Sequence, residues 1–348
     1  MNPYVLMVLL SSLGLGTTLT FASSHWMLAW MGLEINTLAI IPLMAQHHHP
    51  RAVEATTKYF LTQATAAAII LFASMMNAWA TGEWNMYNMT NSPACTLIMI
   101  ALALKIGLAP VHFWMPEVMQ GLDLITGLIL STWQKLAPFA LIIQVAPTIN
   151  PLVLTTLALM STIVGGWGGL NQTQLRKILA YSSIAHMGWM IIIVQFMPQL
   201  TILALSLYIF MTTAAFLTLH LSTATKINTL TMIWSKNPTL TTTTALILLS
   251  LGGLPPLSGF MPKWLILQEL AKQNLPIIAT IMALAALLSL YFYLRLCYAM
   301  TLTISPNTTN ASTPWRIKST QTSLPLSLST VATIGLLPIT PAILMLIT

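Results

Sequence analysis

Hydrophobic residues run along this chain in long blocks that are separated by short polar connections. A helix needs about 20 apolar residues to cross a hydrocarbon core of about 30 Å. The pattern therefore predicts an all-α polytopic membrane protein, with residues 1–348 in a single transmembrane domain. The eleven predicted spans are residues 3–21, 25–45, 55–79, 94–115, 123–146, 151–170, 174–195, 200–221, 239–272, 276–299 and 323–346.

The ninth and fourth blocks are predicted to be broken helices. Residues 239–272 would form a helix of about 50 Å, which is too long for one crossing. Their middle reads GGLPPLSGFMPKW and predicts a half-helix, an unwound stretch and a second half-helix that starts near Pro262. In the fourth block Lys105 is followed by Pro110, and in the fifth block Lys135 is followed by Pro138. A proline inside a helix frees a carbonyl from its partner, so this stretch is predicted to hold a polar, broken-helix site. Broken helices of this kind mark ion sites in many transporters.

Composition excludes an ordinary soluble domain. The chain is 56% hydrophobic and 5% charged, whereas soluble domains carry about 25% charged residues. Residues 1–22 are interpreted as a first span, without the features of a cleavable signal. The two cysteines lie in apolar segments and predict neither a disulfide nor a metal site. His47, His48 and His49 have no supporting ligand set, so no metal site is expected there.

The net charge of +7 reflects an uneven distribution of basic residues between alternate loops. One set of loops holds Arg51, Arg176, Lys177, Lys226, Lys236, Arg316 and Lys318. The other set holds Lys272 and the acidic Glu83. By the positive-inside rule, the N-terminus and the basic loops face the negative compartment, and the C-terminus faces the opposite one.

Five ionisable residues within the spans are the candidate functional residues: Glu34, Lys58, Lys105, Lys135 and Lys263. A lysine at the centre of a span costs about 2.5 to 3.5 kcal/mol on insertion scales, and such residues usually serve function. One carboxylate cannot balance four buried ammonium ions, so some of these lysines are expected to exchange a proton. In the structural alternatives Lys58 extends to the membrane interface, Lys263 lies in an interfacial segment, and the others form a buried pair.

Three histidines also lie within spans. His112 follows the break at Pro110, and His186 lies in YSSIAHMGW beside two serines. Because histidine titrates near neutral pH, His112 and His186 are candidates for a water-linked proton relay. His220 is a weaker candidate near the end of its span. The alternative for each is a structural histidine in the core whose hydrogen bonds are satisfied there.

Four segments carry a resemblance to a known family: WMGLEINTLAIIPLM, ALKIGLAPVHFWMPEV, LAYSSIAHMGWM and LSLGGLPPLSGFMPKW. With the order of the five ionisable residues, the whole chain resembles the antiporter-like subunits of respiratory NADH:ubiquinone oxidoreductase, complex I. The resemblance implies two inverted five-helix repeats, approximately residues 25–146 and 151–299, centred on the broken fourth and ninth spans.

The resemblance also implies roles for individual residues. Glu34 and Lys105 would form a coupled pair, and Lys58 would tune it. Lys135 would carry protons towards the centre, and Lys263 would lead towards the intermembrane-space side. His112 and His186 would belong to a central polar axis.

The implied setting is the mitochondrial inner membrane, with the N-terminus and basic loops in the matrix and the C-terminus in the intermembrane space. The chain would hold no cofactor of its own, and FMN, iron–sulfur clusters and ubiquinone would belong to other subunits. Its partners would be other membrane subunits of complex I, including neighbouring antiporter-like subunits, and phospholipids such as cardiolipin, with no nucleic acid.

The sequence therefore predicts a core membrane subunit that translocates protons, coupled to electron transfer elsewhere in the assembly. One alternative is a stand-alone cation/proton antiporter, although the intramembrane set is dominated by lysine and has no buried aspartate pair. A second alternative is a structural membrane anchor, which would not need central charges.

Overall fold

Helices form all the regular structure of the described residues. The computed structural model describes residues 2–46, 48–303 and 323–347, and in these ranges no β-strand occurs beyond two isolated bridges. The all-α prediction is confirmed for these ranges. His47, Arg316 and Lys318, which entered the sequence predictions, lie outside the described residues.

Seven helical segments of the described chain are long and apolar enough to cross a membrane. A bent pair near the C-terminus adds an eighth if it counts as one span. The seven are Pro3–Ala22, Trp26–Met44, Pro50–Thr81, Leu124–Thr148, Pro151–Gly169, Pro198–Ser222 and Pro276–Leu302.

The chain divides into two compact units. Unit 1 comprises Met1–Ser161 and Val194–Pro198, and unit 2 comprises Thr162–Ile193 and Gln199–Thr348. The division falls inside α8 (Pro151–Gly169). The helices that precede it are α1 (Pro3–Ala22), α2 (Trp26–Met44), α3 (Pro50–Thr81), α4 (Ser92–Ile106), α5 (Trp114–Gly121), α6 (Leu124–Ser131) and α7 (Trp133–Val145), and a 3-10 turn follows at Ala146–Thr148.

In unit 1, the predicted fourth span is two helices. Helix α4 ends at Gly107, whose φ of 84° is a left-handed conformation that glycine adopts without steric cost. The amides of Gly107 and Leu108 both donate to the carbonyl of Ala103, at 2.9 Å each. Residues 107–113 then run outside the helix until α5 begins at Trp114.

The predicted fifth span is also interrupted, but at Thr132, ahead of Lys135 and Pro138. Helix α6 ends at Ser131 and α7 begins at Trp133. The hydroxyls of Ser131 and Thr132 both donate to the carbonyl of Leu128, at 3.0 and 2.7 Å. Hydroxyl groups that bond nearby carbonyls compete with the helical hydrogen bonds and bend helices, and this explains a break without glycine or proline.

The helices of unit 2 beyond α8 vary in length, from four residues in α12 to 27 residues in α15. They are α9 (Leu175–Ile193), α10 (Pro198–Ser222), α11 (Ile227–Thr231), α12 (Ile233–Lys236), α13 (Pro238–Gly252), α14 (Phe260–Lys272), α15 (Pro276–Leu302), α16 (Leu324–Gly335) and α17 (Thr340–Ile347).

The predicted break of the ninth span is present in unit 2. Helix α13 ends at Gly253, with φ 82°, and α14 begins at Phe260, two residues before the predicted start near Pro262. The predicted last span, 323–346, is bent by 64° between α16 and the segment that starts at Leu337. Gly335 and the proline of the turn Leu337–Ile339 interrupt the helix there.

Candidate functional site

Lys105 lies in the last turn of α4, immediately before the helix break in unit 1. The residue is 6% exposed, and its Nζ has no hydrogen-bond partner among the described residues. A cation is electrostatically favoured at the C-terminal end of a helix, where the carbonyl groups carry partial negative charge. The break therefore places the ammonium group where the backbone field partly compensates its burial.

Lys135 is the second buried lysine of unit 1. It lies in the first turn of α7, is 2% exposed, and donates its backbone amide to the carbonyl of Thr132 at 3.3 Å. The interruption between α6 and α7 thus lies next to Lys135, as the break after α4 lies next to Lys105. Each of these lysines is adjacent to a helix interruption.

Both lysines line one cavity, which we call the lysine cavity. Amide side chains supply much of its polar wall, from Asn36, Gln63 and Gln134, and the indole of Trp114 lines it as well. The volume of the cavity in which the centre of a water molecule can lie is about 10 Å³. This volume is enough for one water molecule. The structure thus brings together Lys105 and Lys135, which lie on different helices.

Several polar atoms of the lysine cavity have no hydrogen-bond partner in the part of the chain that the structure describes. They include Nδ2 and Oδ1 of Asn36, Nε2 of Gln63 and Nζ of Lys105. Buried polar groups that no protein atom satisfies are the groups to which internal water molecules usually bond. The cavity is therefore suited chemically to a chain of water and amines that passes a proton.

Glu34 lies in α2, close to the lysine cavity. Its charge acts on Lys105 and on the hydroxyl of Tyr59, another residue of the cavity wall. No ion pair within 4.0 Å joins Glu34 to Lys105, and the buried Oε2 of Glu34 has no partner among the described residues. The two charges therefore interact across a gap, and the coupling of Glu34 with Lys105 stays a prediction.

The expectation that Lys58 is a buried lysine is wrong. Its side chain is 42% exposed, and its Nζ lies 2.7 Å from Oε1 of Glu54 and 2.7 Å from Oε2 of Glu117. The proposed balance of four buried lysines against one carboxylate fails here, because Lys58 has two carboxylates of its own. Glu54 was recognisable as an i, i+4 partner on the same helix, whereas Glu117 comes from α5.

Lys263 has a definite partner in unit 2. From the first turn of α14 its Nζ donates to the carbonyl of Gly252 at 2.8 Å, at the C-terminal end of α13. The ammonium group therefore bridges the two halves of the broken helix. It satisfies a carbonyl that the end of α13 leaves without an intrahelical donor.

The two candidate histidines lie in different units. His112 is buried in the break after α4, where its Nδ1 lies 3.3 Å from the carbonyl of Pro110 and its ring packs on Phe113 at 4.4 Å. It is not part of the lysine cavity wall. His186 of α9 packs on Tyr208 of α10, with ring centroids 5.7 Å apart. Ser182 and Ser183, the neighbours predicted from the sequence, are buried.

Glu117 and Arg295 are charged residues that the sequence analysis did not consider. Glu117 lies in the connection after the fourth block, and only the fold shows that it reaches Lys58. Arg295 lies inside the predicted span 276–299, where its guanidinium donates to the carbonyls of Leu170 and Gln172. The rule that selected the intramembrane lysines applies equally to Arg295 and would have singled it out, whereas its contacts with the connection after α8 are visible only in the fold.

No group of three or more residues suited to hold a metal ion occurs in the described ranges of the chain. The site of unit 1 consists instead of amines, amides, one carboxylate and aromatic hydroxyl and indole groups within apolar helices. These features define a polytopic membrane protein with buried amine groups beside broken helices. Residues 23–289 match the family model NADH:quinone oxidoreductase/Mrp antiporter, TM, and the chain belongs to this family.

A second family model and individual relatives give a more specific comparison. Residues 290–344 match the model NADH dehydrogenase subunit 2 C-terminus. The chain is 79% identical over 348 residues to NADH-ubiquinone oxidoreductase chain 2 of Carassius auratus, with complete coverage of both chains. Its resemblance to the complex I family, stated from sequence motifs, is thereby confirmed.

Solved structures share the fold. A chain of respiratory complex I from Thermus thermophilus superposes with a TM-score of 0.87 at 28% identity, covering 99% of this chain and 80% of that one. A chain of the Mrp complex from a Dietzia species superposes with a TM-score of 0.86 at 17% identity, covering 97% and 76%. The second likeness concerns the fold alone.

Proposed function

We propose that this chain is a core membrane subunit of a respiratory NADH:ubiquinone oxidoreductase and translocates protons across the mitochondrial inner membrane. The observation that carries the proposal is the lysine cavity, in which two buried amines from different helices share a wall of partly unsatisfied amides. An apolar helical protein would gain nothing from this arrangement as a passive anchor, because buried ionisable groups are costly. The 79% identity to a chain of that enzyme supports the assignment.

The proposed proton path in unit 1 uses the residues that the structure places together. Lys105 holds a proton in the lysine cavity and exchanges it with Lys135 through bound water that the amide side chains orient. Glu34 biases the charge of Lys105 from across the gap. Two like charges in one low-dielectric cavity repel strongly, so the arrival of a second proton favours departure of the first.

Lys263 and the histidines have proposed roles in the same pathway. Lys263 leads towards the intermembrane-space side, and its release from the carbonyl of Gly252 would be the step that lets it accept or pass a proton. His112 and His186 act as relays within their own units. Lys58 tunes the charge of Glu34 and Lys105 from near the basic side of unit 1.

We further propose eleven spans arranged as two inverted repeats, approximately residues 25–146 and 151–299. Seven helices qualify individually, and the bent C-terminal pair makes an eighth. The remaining three of the eleven proposed spans are α9, the broken helix of α4 with α5, and the broken helix of α13 with α14. The N-terminus and basic loops face the matrix, and the C-terminus faces the intermembrane space, because most loop lysines and arginines occupy one set of alternate loops.

The redox groups of the proposed assembly, FMN, iron–sulfur clusters and ubiquinone, are assigned to other subunits. The chain's partners are other membrane subunits, including neighbouring antiporter-like subunits, together with phospholipids such as cardiolipin. Large apolar side chains exposed on the isolated chain, for example on α1 and α15, provide the surface for such contacts.

The competing function is a stand-alone cation/proton antiporter, and the fold shared with a chain of an Mrp complex is the observation in its favour. The native size of the chain after extraction in mild detergent, with an in-gel NADH oxidation assay on the same band, separates the two functions. We expect the chain in a very large band that oxidises NADH. A small particle without this activity that exchanges cations for protons after reconstitution would establish the antiporter instead.

A further inference from the structure

Lys58 contacts two carboxylates that differ in what they connect. Glu54 lies one turn earlier on α3, and its ion pair with Lys58 stays within one helix. Glu117 lies on α5, fifty-nine residues along the chain, and contacts Lys58 at the same distance of 2.7 Å. Only the second contact joins two helices. The pair of carboxylates therefore provides a matched comparison within the chain.

Helix α5 also packs directly against α3. A Cβ added to Gly121, at the end of α5, would lie 2.6 Å from the carbonyl oxygen of Arg51 and 2.7 Å from Cβ of Ala55. The rings of Tyr59 and Trp114 meet edge to face with centroids 5.7 Å apart. This close packing, with the Lys58–Glu117 ion pair, fixes α5 on the surface of α3.

Helix α5 in turn contacts the end of α4 that carries Lys105. The indole Nε1 of Trp114 donates to the carbonyl of Leu104 at 3.0 Å, one residue before the lysine. A Cβ added to Gly107 would lie 3.0 Å from Sδ of Met115. Trp114 and Met115 also form part of the lysine cavity wall. Any shift of α5 therefore moves the wall and the helix end beside Lys105.

We infer that Glu117 is a positioning residue for proton transfer at Lys105. Its ion pair with Lys58 holds α5 on α3. With α5 held there, Trp114 keeps the end of α4 and the wall of the lysine cavity in position. The inference rests on the proposed role of Lys105. Glu54 has no such part, because its contact with Lys58 does not reach α5.

The test compares Glu117→Gln, Glu117→Asp and Glu54→Gln in the assembled NADH-oxidising enzyme within membrane vesicles. Glutamine keeps the size of the side chain and removes its charge. Proton pumping is followed by a pH-sensitive dye and divided by the rate of NADH oxidation, at equal amounts of assembled enzyme. We expect Glu117→Gln to lower this ratio about two- to fivefold, the range for loss of one partly exposed ion pair. Glu117→Asp should restore most of it, and Glu54→Gln should pump like the parent enzyme.

A double variant distinguishes positioning from general stability. If Glu117 acts through Lys105, the double variant should lose no more pumping than Lys105→Ala alone. The effects of mutations at residues that act together are not additive. Additive losses, or equal losses from Glu54→Gln and Glu117→Gln, would overturn the inference. Normal pumping by Glu117→Gln, together with failure of Lys105→Ala to pump, would also overturn the inference. The proposed function would stand in that case. Normal pumping by Lys105→Ala would overturn both.

Discussion

At the scale of single residues, the lysine cavity combines two amines, one distant carboxylate and several amides. Lys105 and Lys135 line the same small space, and Glu34 acts on Lys105 without a direct ion pair. A direct pair would hold the lysine charged, whereas a carboxylate across a gap biases the amine and leaves it free to exchange a proton. The absence of a tight pair is therefore consistent with transfer.

Lys263 provides a residue-scale prediction in unit 2. Replacing it by methionine removes the charged donor to the carbonyl of Gly252. A hydrogen bond to a charged group contributes about 1.5 to 3 kcal/mol, so we expect local opening of the break between α13 and α14 to become easier by about that amount. Hydrogen exchange measured by mass spectrometry on peptides from this segment of the assembled enzyme reports the change.

Lys272→Met is the matched control for this measurement. Lys272 is on the same helix, but its own side chain is exposed where it pairs with Glu269 at 3.3 Å, and ion pairs of exposed lysines contribute little. Equal exchange rates for both variants at the break would show that Lys263 does not hold the two half-helices together.

The sequence identified several of these residues, although their contacts depended on the fold. The cost of an intramembrane charge selected Lys105, Lys135 and Lys263 without a structure. It could not show that Lys105 and Lys135 share a cavity with Gln63, because that requires the packing of separate helices. For Lys58, burial was predicted wrongly, since its contact with a carboxylate 59 positions away is visible only in three dimensions.

At the scale of helices, the close approach of α1 and α2 builds one side of the site. A Cβ added to Gly16 of α1 would lie 2.5 Å from Oδ1 of Asn36 and 2.9 Å from the carbonyl oxygen of Gly32. Asn36 is also part of the lysine cavity wall. The absence of a side chain at Gly16 thus lets α1 press against the helix that carries both Asn36 and Glu34.

Gly16→Ala is accordingly expected to destabilise the packing of α1 on α2. Overpacking a tight contact costs about 1 to 3 kcal/mol. Gly14→Ala, two residues earlier on the same helix, meets nothing within 4 Å and should stabilise the helix by about 0.5 to 1 kcal/mol. The midpoint of thermal loss of the chain from the solubilised assembly measures both effects. Equal midpoints for the two variants would refute the packing account.

The helix breaks were predicted where glycine and proline caused them and missed where hydroxyl groups did. Gly253 and the prolines after it predicted the end of α13. Ser131 and Thr132 did not indicate the break between α6 and α7, because serine and threonine occur in many unbroken spans. Their hydrogen bonds to the carbonyl of Leu128 are visible only in the structure.

At the scale of the whole molecule, the length and apolar character of the helices define a membrane protein, and the family match defines its class. Composition and the spacing of apolar blocks predicted the helical class correctly, because the bilayer sets the length of each span. The number of spans and their inverted symmetry stay predictions, since interrupted helices do not reveal by composition how often the chain crosses.

The central claim is that Lys105 carries protons, and Lys105→Ala tests it most directly. Proton pumping and NADH oxidation are measured together on vesicles that contain equal amounts of assembled enzyme, with Lys272→Ala, an exposed lysine of α14, as control. We expect Lys105→Ala to lower NADH:quinone turnover and coupled pumping, by about tenfold or more if the lysine is obligatory, while the control variant remains unchanged. A normal rate and a normal number of protons per NADH in Lys105→Ala would contradict the account.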